Sequence, residues 1–367
     1  MDESRLNVVS SSTDMSFTTP GLVCGHHHLY SSLARGMPAP PETPRTFLGV
    51  LENIWWRLDA ALDLDIIYWS AALGAAEALL SGTTAIIDHH ESPNAIEGSL
   101  DAIASACDMI GVRHNLSYGV TDRWSDSQLL PSVHPQSSMT DGARRGLEEN
   151  ERYLASGGRA MVGVHASFTC SDETLHAAAE LAKKYATGVH IHVAEGPDDR
   201  EAGARLRHLA NDDWLLVHAV HLTEHLPGTL AHNPRSNMNN SVGYARPALK
   251  KNKVILGTDG IGADMFEEFR LAYVRHREDD IEATPDSAWQ WLFNGQHFFP
   301  EVTNDSVTWS HPCADSPWHV AFTPGMRATT VTMNGTTVVD DGVPQQFDLD
   351  EVRRKAAEAA TKLHERL

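Results

Sequence analysis

Cysteine is nearly absent from this chain of 367 residues: there are four, Cys24, Cys107, Cys170 and Cys313, widely scattered. No CxxC pair occurs, which excludes a zinc ribbon and a dense disulfide framework and leaves reduced thiols as the expectation. Basic residues are short as well, 29 Lys and Arg against 49 Asp and Glu, giving a net charge of −20. That balance argues against nucleic acid and against an anionic membrane surface as partners. No apolar run is long enough to span a bilayer. The opening "MDESRLNVVSSSTDMS" has neither the basic start nor the apolar core of a leader. The expectation is a cytoplasmic protein. No low-complexity linker and no internal repeat beyond a strand–helix rhythm is present.

What is present is an ordinary share of hydrophobic residues, 41%, enough for a full core, and 21 histidines. Short apolar runs alternate with longer helical ones. The strand-like runs are "GLVCGHH" at 21–27, "TTAIIDHH" at 83–90, "RHNLSYG" at 113–119, "AMVGVHA" at 160–166, "GVHIHVAE" at 188–195, "WLLVHAV" at 214–220, "GTLAHNP" at 228–234 and "KVILGTDG" at 253–260. Between several of them lie helical patterns. "SDETLHAAAELAKKY" has Ser171 placed as an N-cap and Leu175, Ala178 and Leu181 at helical spacing. "LDIIYWSAALGAAEALLSG" reads the same way and ends at Gly82. Eight strand–helix alternations predict an α/β fold, a (β/α)8 TIM-type barrel, with one unit shortened between the sixth and seventh strands.

His26, His28, His89, His90, His165, His192, His218 and His232 then fall at or near the C-terminal ends of strands, with Glu195 and Asp259. Taken singly, each histidine reads as a capping or packing residue; together they mark the rim on which a barrel carries its active site. In "GHHHLY", strand alternation sends His26 and His28 to one side and His27 to the other, and two imidazoles on one face can share a metal.

These motifs resemble the amidohydrolase superfamily, and within it the metal-dependent deaminases and chlorohydrolases. "PGLVCGHHHLY" is similar to that superfamily's first-strand His-x-His, "HIHVAEG" to its fifth-strand element, "LLVHAVHL" to its sixth-strand histidine and "LGTDG" to its eighth-strand aspartate. "HHHLYSSLARGM", "ENIWWRLD", "HASFTCSDETL", "HNPRSNMNNSVGYA" and "GTDGIGADMFEEFRLAYVRHRE" resemble most the branch of aminohydrolases called SsnA. The resemblance is dense over 19–275 and patchy beyond.

It implies one divalent metal held by His26, His28, His192 and Asp259. Three nitrogens and a carboxylate suit Zn²⁺ with a position left for water, and ligand type alone also admits Fe²⁺. Binuclear members use a carboxylated lysine on the fourth strand; "AMVGVHASF" has no lysine, so one metal is expected. Glu195 is then a candidate acid/base, and His218 and Asp259 are placed to take and hold the proton of water. His165 resembles a histidine that contacts substrate. Trp55, Trp56 and Arg57 fall where such enzymes build a substrate wall, although aromatic packing explains them equally. Ser236 and Asn237 fall where they could shape the site, Asn237 as a substrate contact. One of His89 and His90 could support the ligands from behind. His190 is expected to be structural, and "RGLEENERYL" a solvated helix face.

The expected division is a short N-terminal remnant at 1–18, a barrel at 19–300, and a C-terminal β remnant with a terminal helix at 301–367. The termini together would form a reduced accessory β domain, with a hairpin at Asn334–Gly335 and Asp348 capping the last helix. The reaction expected is deamination of a cyclic amidine in a purine-, pterin- or pyrimidine-like heterocycle. Dechlorination of a triazine-like ring is the alternative on the same site. A truncated non-catalytic remnant, or a homo-oligomer that covers the exposed edges, is what a shortened accessory domain would allow.

Overall fold

The computed structural model describes residues 17–125, 128–129, 138–260, 262–311 and 316–367. The expected N-terminal segment 1–18, apart from its last two residues, and Cys313 lie outside the described residues.

A short strand β1 (Phe17–Thr19) precedes the parallel strands β2 (Leu22–His28), β3 (Thr83–Asp88), β4 (Arg113–Asn115), β5 (Val162–Ala166), β6 (Val189–Val193), β7 (Leu215–His218), β8 (Thr229–His232), β9 (Val254–Leu256) and β10 (Asp259–Gly260). One parallel sheet runs β9-β8-β7-β6-β5, a second β10-β2-β3-β4. Isolated parallel bridges Leu116–Ala160 and Val120–Val164 join the stretch after β4 to β5. The eighth run is split: Val254–Leu256 pairs with β8, and Asp259–Gly260 pairs with β2. The architecture is of TIM-barrel type.

The split has a steric cause. Gly257 N donates to His232 O at 3.0 Å and Thr258 N to His26 O at 3.0 Å, so the chain crosses here from one neighbour to the other. A Cβ at Gly257 would stand 2.5 Å from Asn233 Oδ1 and 2.7 Å from His26 N, so only glycine permits the crossing. Helices fill the gaps as their patterns predict. Ser171 Oγ accepts from Thr174 N at the start of Asp172–Lys184, whose last turn carries Lys183 and Lys184. The expected helix before Gly82 spans Leu64–Leu80. No helix among the described residues is long and apolar enough to cross a membrane.

Both ends of the chain share an antiparallel sheet: β1, then β11 (Ser306–Trp309), β12 (Ala328–Met333), β13 (Thr336–Asp340) and β14 (Val343–Pro344). Its hairpin turns at Asn334 and Gly335, both with positive φ, as the sequence predicts. Asp348 caps Leu349–His364 by accepting from Asp350 N and Glu351 N.

One buried carboxylate ties this sheet to the barrel. Asp305 accepts from Arg113 Nη1 at 2.6 Å and Nη2 at 2.9 Å, from Thr84 Oγ1 at 2.7 Å and from Asn334 N at 3.3 Å. Its side chain is 0% exposed and that of Arg113 14%. Asp305→Ala would strand a buried guanidinium, and about 3–5 kcal/mol of unfolding free energy should be lost. Guanidinium-chloride unfolding measures this; a change under about 1 kcal/mol would refute the clamp.

Candidate active site

The predicted residues come together at the C-terminal ends of the strands. His26 and His28 end β2, His192 ends β6, His218 ends β7 and Asp259 opens β10. Two overlapping groups have ligand atoms within 4.8 Å of one another: His26, His192, His218 and Asp259, and His28, His89 and His192. Asp259 Oδ1 lies 3.2 Å from His26 Nε2 and 3.0 Å from His28 Nε2. His28 Nε2 and His192 Nε2 stand 3.3 Å apart. His27 faces elsewhere, its Nδ1 donating to Asp259 O at 2.7 Å.

Hydrogen bonds behind the rings fix which nitrogen carries the proton. His28 Nδ1 donates to His89 O at 2.6 Å, and His192 Nδ1 to His165 O at 2.7 Å. Ser117 Oγ donates to Asp88 O, so it can only accept from His190 Nδ1. His190 Nε2 is then an acceptor, and His26 Nδ1 donates to it at 2.8 Å. His218 Nδ1 donates to Asn237 Oδ1 at 2.7 Å. With each Nδ1–H spoken for, four Nε2 lone pairs converge with a carboxylate. Bare lone pairs cannot bond one another, so a cation is what satisfies them, and neutral imidazole with carboxylate is a ligand set for a divalent metal. His218 Nε2 has no hydrogen-bond partner among the described residues.

The groups of the cluster are shifted in different directions. Burial lowers the proton affinity of His26, to a pKa of about 3. Burial also disfavours charge on His28, but Asp259 outweighs it and raises that pKa. Asp259 is pushed up by burial, yet the His26 and His28 rings against it hold it well below the usual carboxylate range. Burial drives the Glu195 carboxyl up to about 7, with His218 opposing and Asp259 assisting. Glu195 Oε2 lies 3.3 Å from His218 Nε2.

The backbone is strained at this rim. Ala194, His218, Ala219 and Asp259 all have positive φ, between 48° and 69°. For residues with a Cβ this costs on the order of 1 kcal/mol each and is typical of sites where a side chain must be re-aimed.

Above the convergence lies a cavity of about 250 Å³ lined by His28, His165, His192, Glu195 and Asp259 and walled by Trp55 and Trp56. His165 stands 5.5 Å from the His192 ring and 6.4 Å from that of Trp56. Asn237, expected at the substrate, is not part of the cavity lining; it is buried behind His218 and orients it. Ser236 does line the cavity and donates to Asp259 Oδ2. His190 proves to be the support for His26. Sequence reasoning missed Asp59 and Glu91, which also line the cavity, and neither sits in a motif that would have singled it out.

A sequence model of the amidohydrolase family matches residues 17–291. The chain belongs to the amidohydrolase family. This amidohydrolase is 27% identical over 389 residues to a 5'-deoxyadenosine deaminase of Methanococcus maripaludis, covering 94% of the chain and 88% of that relative. A 5'-deoxyadenosine deaminase of Methanocaldococcus jannaschii is 30% identical over 72% of the chain and 65% of the relative. Among solved structures, a zinc-bound adenosine deaminase from Xanthomonas campestris superposes with a TM-score of 0.76 at 19% identity, over 95% of the chain and 86% of that protein. Atrazine chlorohydrolase TrzN from Arthrobacter aurescens with zinc gives 0.72 at 19% identity, over 94% and 88%. The clustered histidines and aspartate of this amidohydrolase fit a divalent metal.

Proposed function

We propose that the chain is a zinc-dependent deaminase of a cyclic amidine within a purine-, pterin- or pyrimidine-like heterocycle. The observation that carries this reading is the convergence of histidine Nε2 atoms and Asp259 beneath an aromatic-walled cavity. His26, His28, His192 and Asp259 are the proposed ligands, a donor set that suits Zn²⁺ better than a harder cation. A metal bound there supplies hydroxide near neutral pH.

The chain's own groups handle the protons. Glu195, with its carboxyl raised to about 7, carries a proton near neutrality and can hand it to the ring nitrogen as the amidine carbon is attacked. His218 and Asp259, whose Nε2 and Oδ2 lie 3.8 Å apart, take and hold the proton of water. Ammonia leaves only after protonation, whereas chloride leaves without it. A site with a protonated carboxyl beside an imidazole therefore favours deamination, and the deaminase names of the relatives point the same way. Displacement of chloride from a triazine ring is the second reading, supported by the likeness to chlorohydrolases.

The barrel at 19–300 would carry this chemistry, with the C-terminal part at 301–367 clamped to it through Asp305. Cys24, Cys107 and Cys170 are buried free thiols, in keeping with a reducing compartment such as the cytoplasm.

The test is metal analysis with ammonia release over a panel of aminoheterocycles. About one zinc per chain and release from at least one ring are expected. Zinc returned to chelated protein should stabilise it by about 4 kcal/mol at a thousandfold excess over Kd. A chain that holds no metal, releases no ammonia and melts unchanged with zinc is the non-catalytic remnant instead.

A further inference from the structure

Glu195 must hand over its proton at one place, yet its side chain is loosely held. Among the described residues its carboxyl meets Asn240 Nδ2 at 3.4 Å and His218 Nε2 at 3.3 Å. Its aim is therefore set by the main chain before it. Ala194 has φ of 48°, a left-handed backbone that a residue with a Cβ rarely adopts. Left alone, that peptide would relax and turn Glu195 with it. Two hydrogen bonds keep it in place. Ala194 O accepts from His221 N at 2.8 Å, and Ala194 N donates to Asp199 Oδ2 at 2.7 Å.

Asp199 reaches back to Ala194 because the chain turns sharply after Glu195. Pro197–Asp199 is a single 3-10 turn opened by proline, and Asp199 N donates to Gly196 O at 3.3 Å. The other oxygen of Asp199 accepts from Phe168 N at 3.1 Å and from Ser167 Oγ. Ser167 and Phe168 directly follow β5, and Phe168 lines the cavity, as does Asp199. One carboxylate thus joins the chain ends after β5 and β6. Its neighbour Asp198 is exposed, whereas Asp199 is 3% exposed. Burial raises the Asp199 carboxyl to about 6, with the hydrogen bonds from Ser167, Ala194 and Phe168 opposing, so near neutrality it is ionised and can accept all three donors.

We propose that Asp199 is a positioning residue for the reaction: through Ala194 N it fixes the direction of Glu195, and through Ser167 and Phe168 it fixes the facing wall of the cavity. This rests on the deaminase reading, in which Glu195 delivers the proton. The position calls for a carboxylate rather than any polar group. All three partners donate, so an amide at 199 can satisfy one side and must turn its NH2 on the other. The side with two donors is better kept by the oxygen. That sets the NH2 against Ala194 N–H and frees the peptide that aims Glu195.

The test joins amide exchange, read residue by residue by mass spectrometry on the zinc-loaded full chain, to kinetics on a ring from the panel. In Asp199→Asn the Ala194 amide should exchange at least about tenfold faster, with zinc content unchanged. The kcat should fall about tenfold to a hundredfold, the scale of a misplacement near 1 Å, with KM within about twofold. Asp198→Asn removes the same charge from an exposed neighbour and should change neither. A residue that merely held the fold together would speed exchange throughout β5 and β6 and would not single out kcat. Should Asp199→Asn fail to fold, Pro197→Gly loosens the exposed turn and leaves the carboxylate in place. The Ala194 amide should then exchange about twofold to fivefold faster, and kcat should fall in step. An Ala194 amide indifferent to both substitutions, or faster exchange with kcat unchanged, overturns the proposal. Faster exchange at Ala194 in a protein whose wild type releases no ammonia would count against the deaminase reading alone.

Discussion

Asp259→Asn should abolish both functions of the histidine cluster at once: zinc content falls, and ammonia release drops by well over a hundredfold. The lower bound follows from metal sites in general, where even outer partners of the ligands are worth about 10–100-fold. Asp259 stands closer than that. Its Oδ1 is within 3.2 Å of His26 Nε2 and 3.0 Å of His28 Nε2, and its Oδ2 accepts from Ser236. An amide has the same shape but carries no charge, so a divalent cation would sit among neutral nitrogens in a buried pocket. The substitution tests chemistry rather than folding, because Asp259 has φ of 61° and asparagine accepts that left-handed backbone as readily as aspartate. Elemental analysis and ammonia assay read the outcome. Full activity in the variant would sink the ligand assignment.

Glu195→Gln separates proton transfer from metal binding. The carboxyl is within 3.3 Å of His218 Nε2 and receives Asn240 Nδ2 on its other oxygen at 3.4 Å. Glutamine keeps the size and the contact with Asn240 but cannot deliver a proton. The expected loss is about 10²–10⁴ in kcat, the range of general acid–base catalysis, with zinc content and KM little changed. A variant that loses its metal, or one that keeps its kcat, would show that Glu195 does something else.

Much of this was legible in the sequence, for identifiable reasons. The eight strand runs are apolar, short and bounded by glycine or polar turns, and each appears within a few residues of its expected place. His26 and His28 could be separated from His27 because strand alternation is a local rule. The helix caps Ser171 and Asp348 were legible because capping depends on neighbours in sequence.

What stayed hidden depends on distant pairing. Nothing around Arg113 announces Asp305, which meets it across 192 positions. The split of the eighth run follows from the close approach of Gly257 to His26, which no local pattern records. Asn237 follows a rim strand as a substrate contact would, yet it serves His218 from the short helix Pro234–Asn239 after β8. Asp59 sits in a helical "WRLDAA" and Glu91 just past β3; each passes for a surface acid until the fold buries both beside one cavity.

The hydrogen bonds behind the histidines have a further consequence for how such a protein can change over time. His28 and His192 are aimed by the carbonyls of His89 and His165, main-chain groups just past β3 and within β5. A main-chain carbonyl is present whatever side chain its residue bears. Half of the proposed ligand geometry is thus inherited with the strand register and is indifferent to point mutation at the supporting positions. Trp55, Trp56 and Asp59, by contrast, stand on the excursion between β2 and β3, which can be exchanged or lengthened without moving either carbonyl. Selection acting on that excursion can retarget the cavity to a new molecule while the histidine cluster beneath it passes on intact.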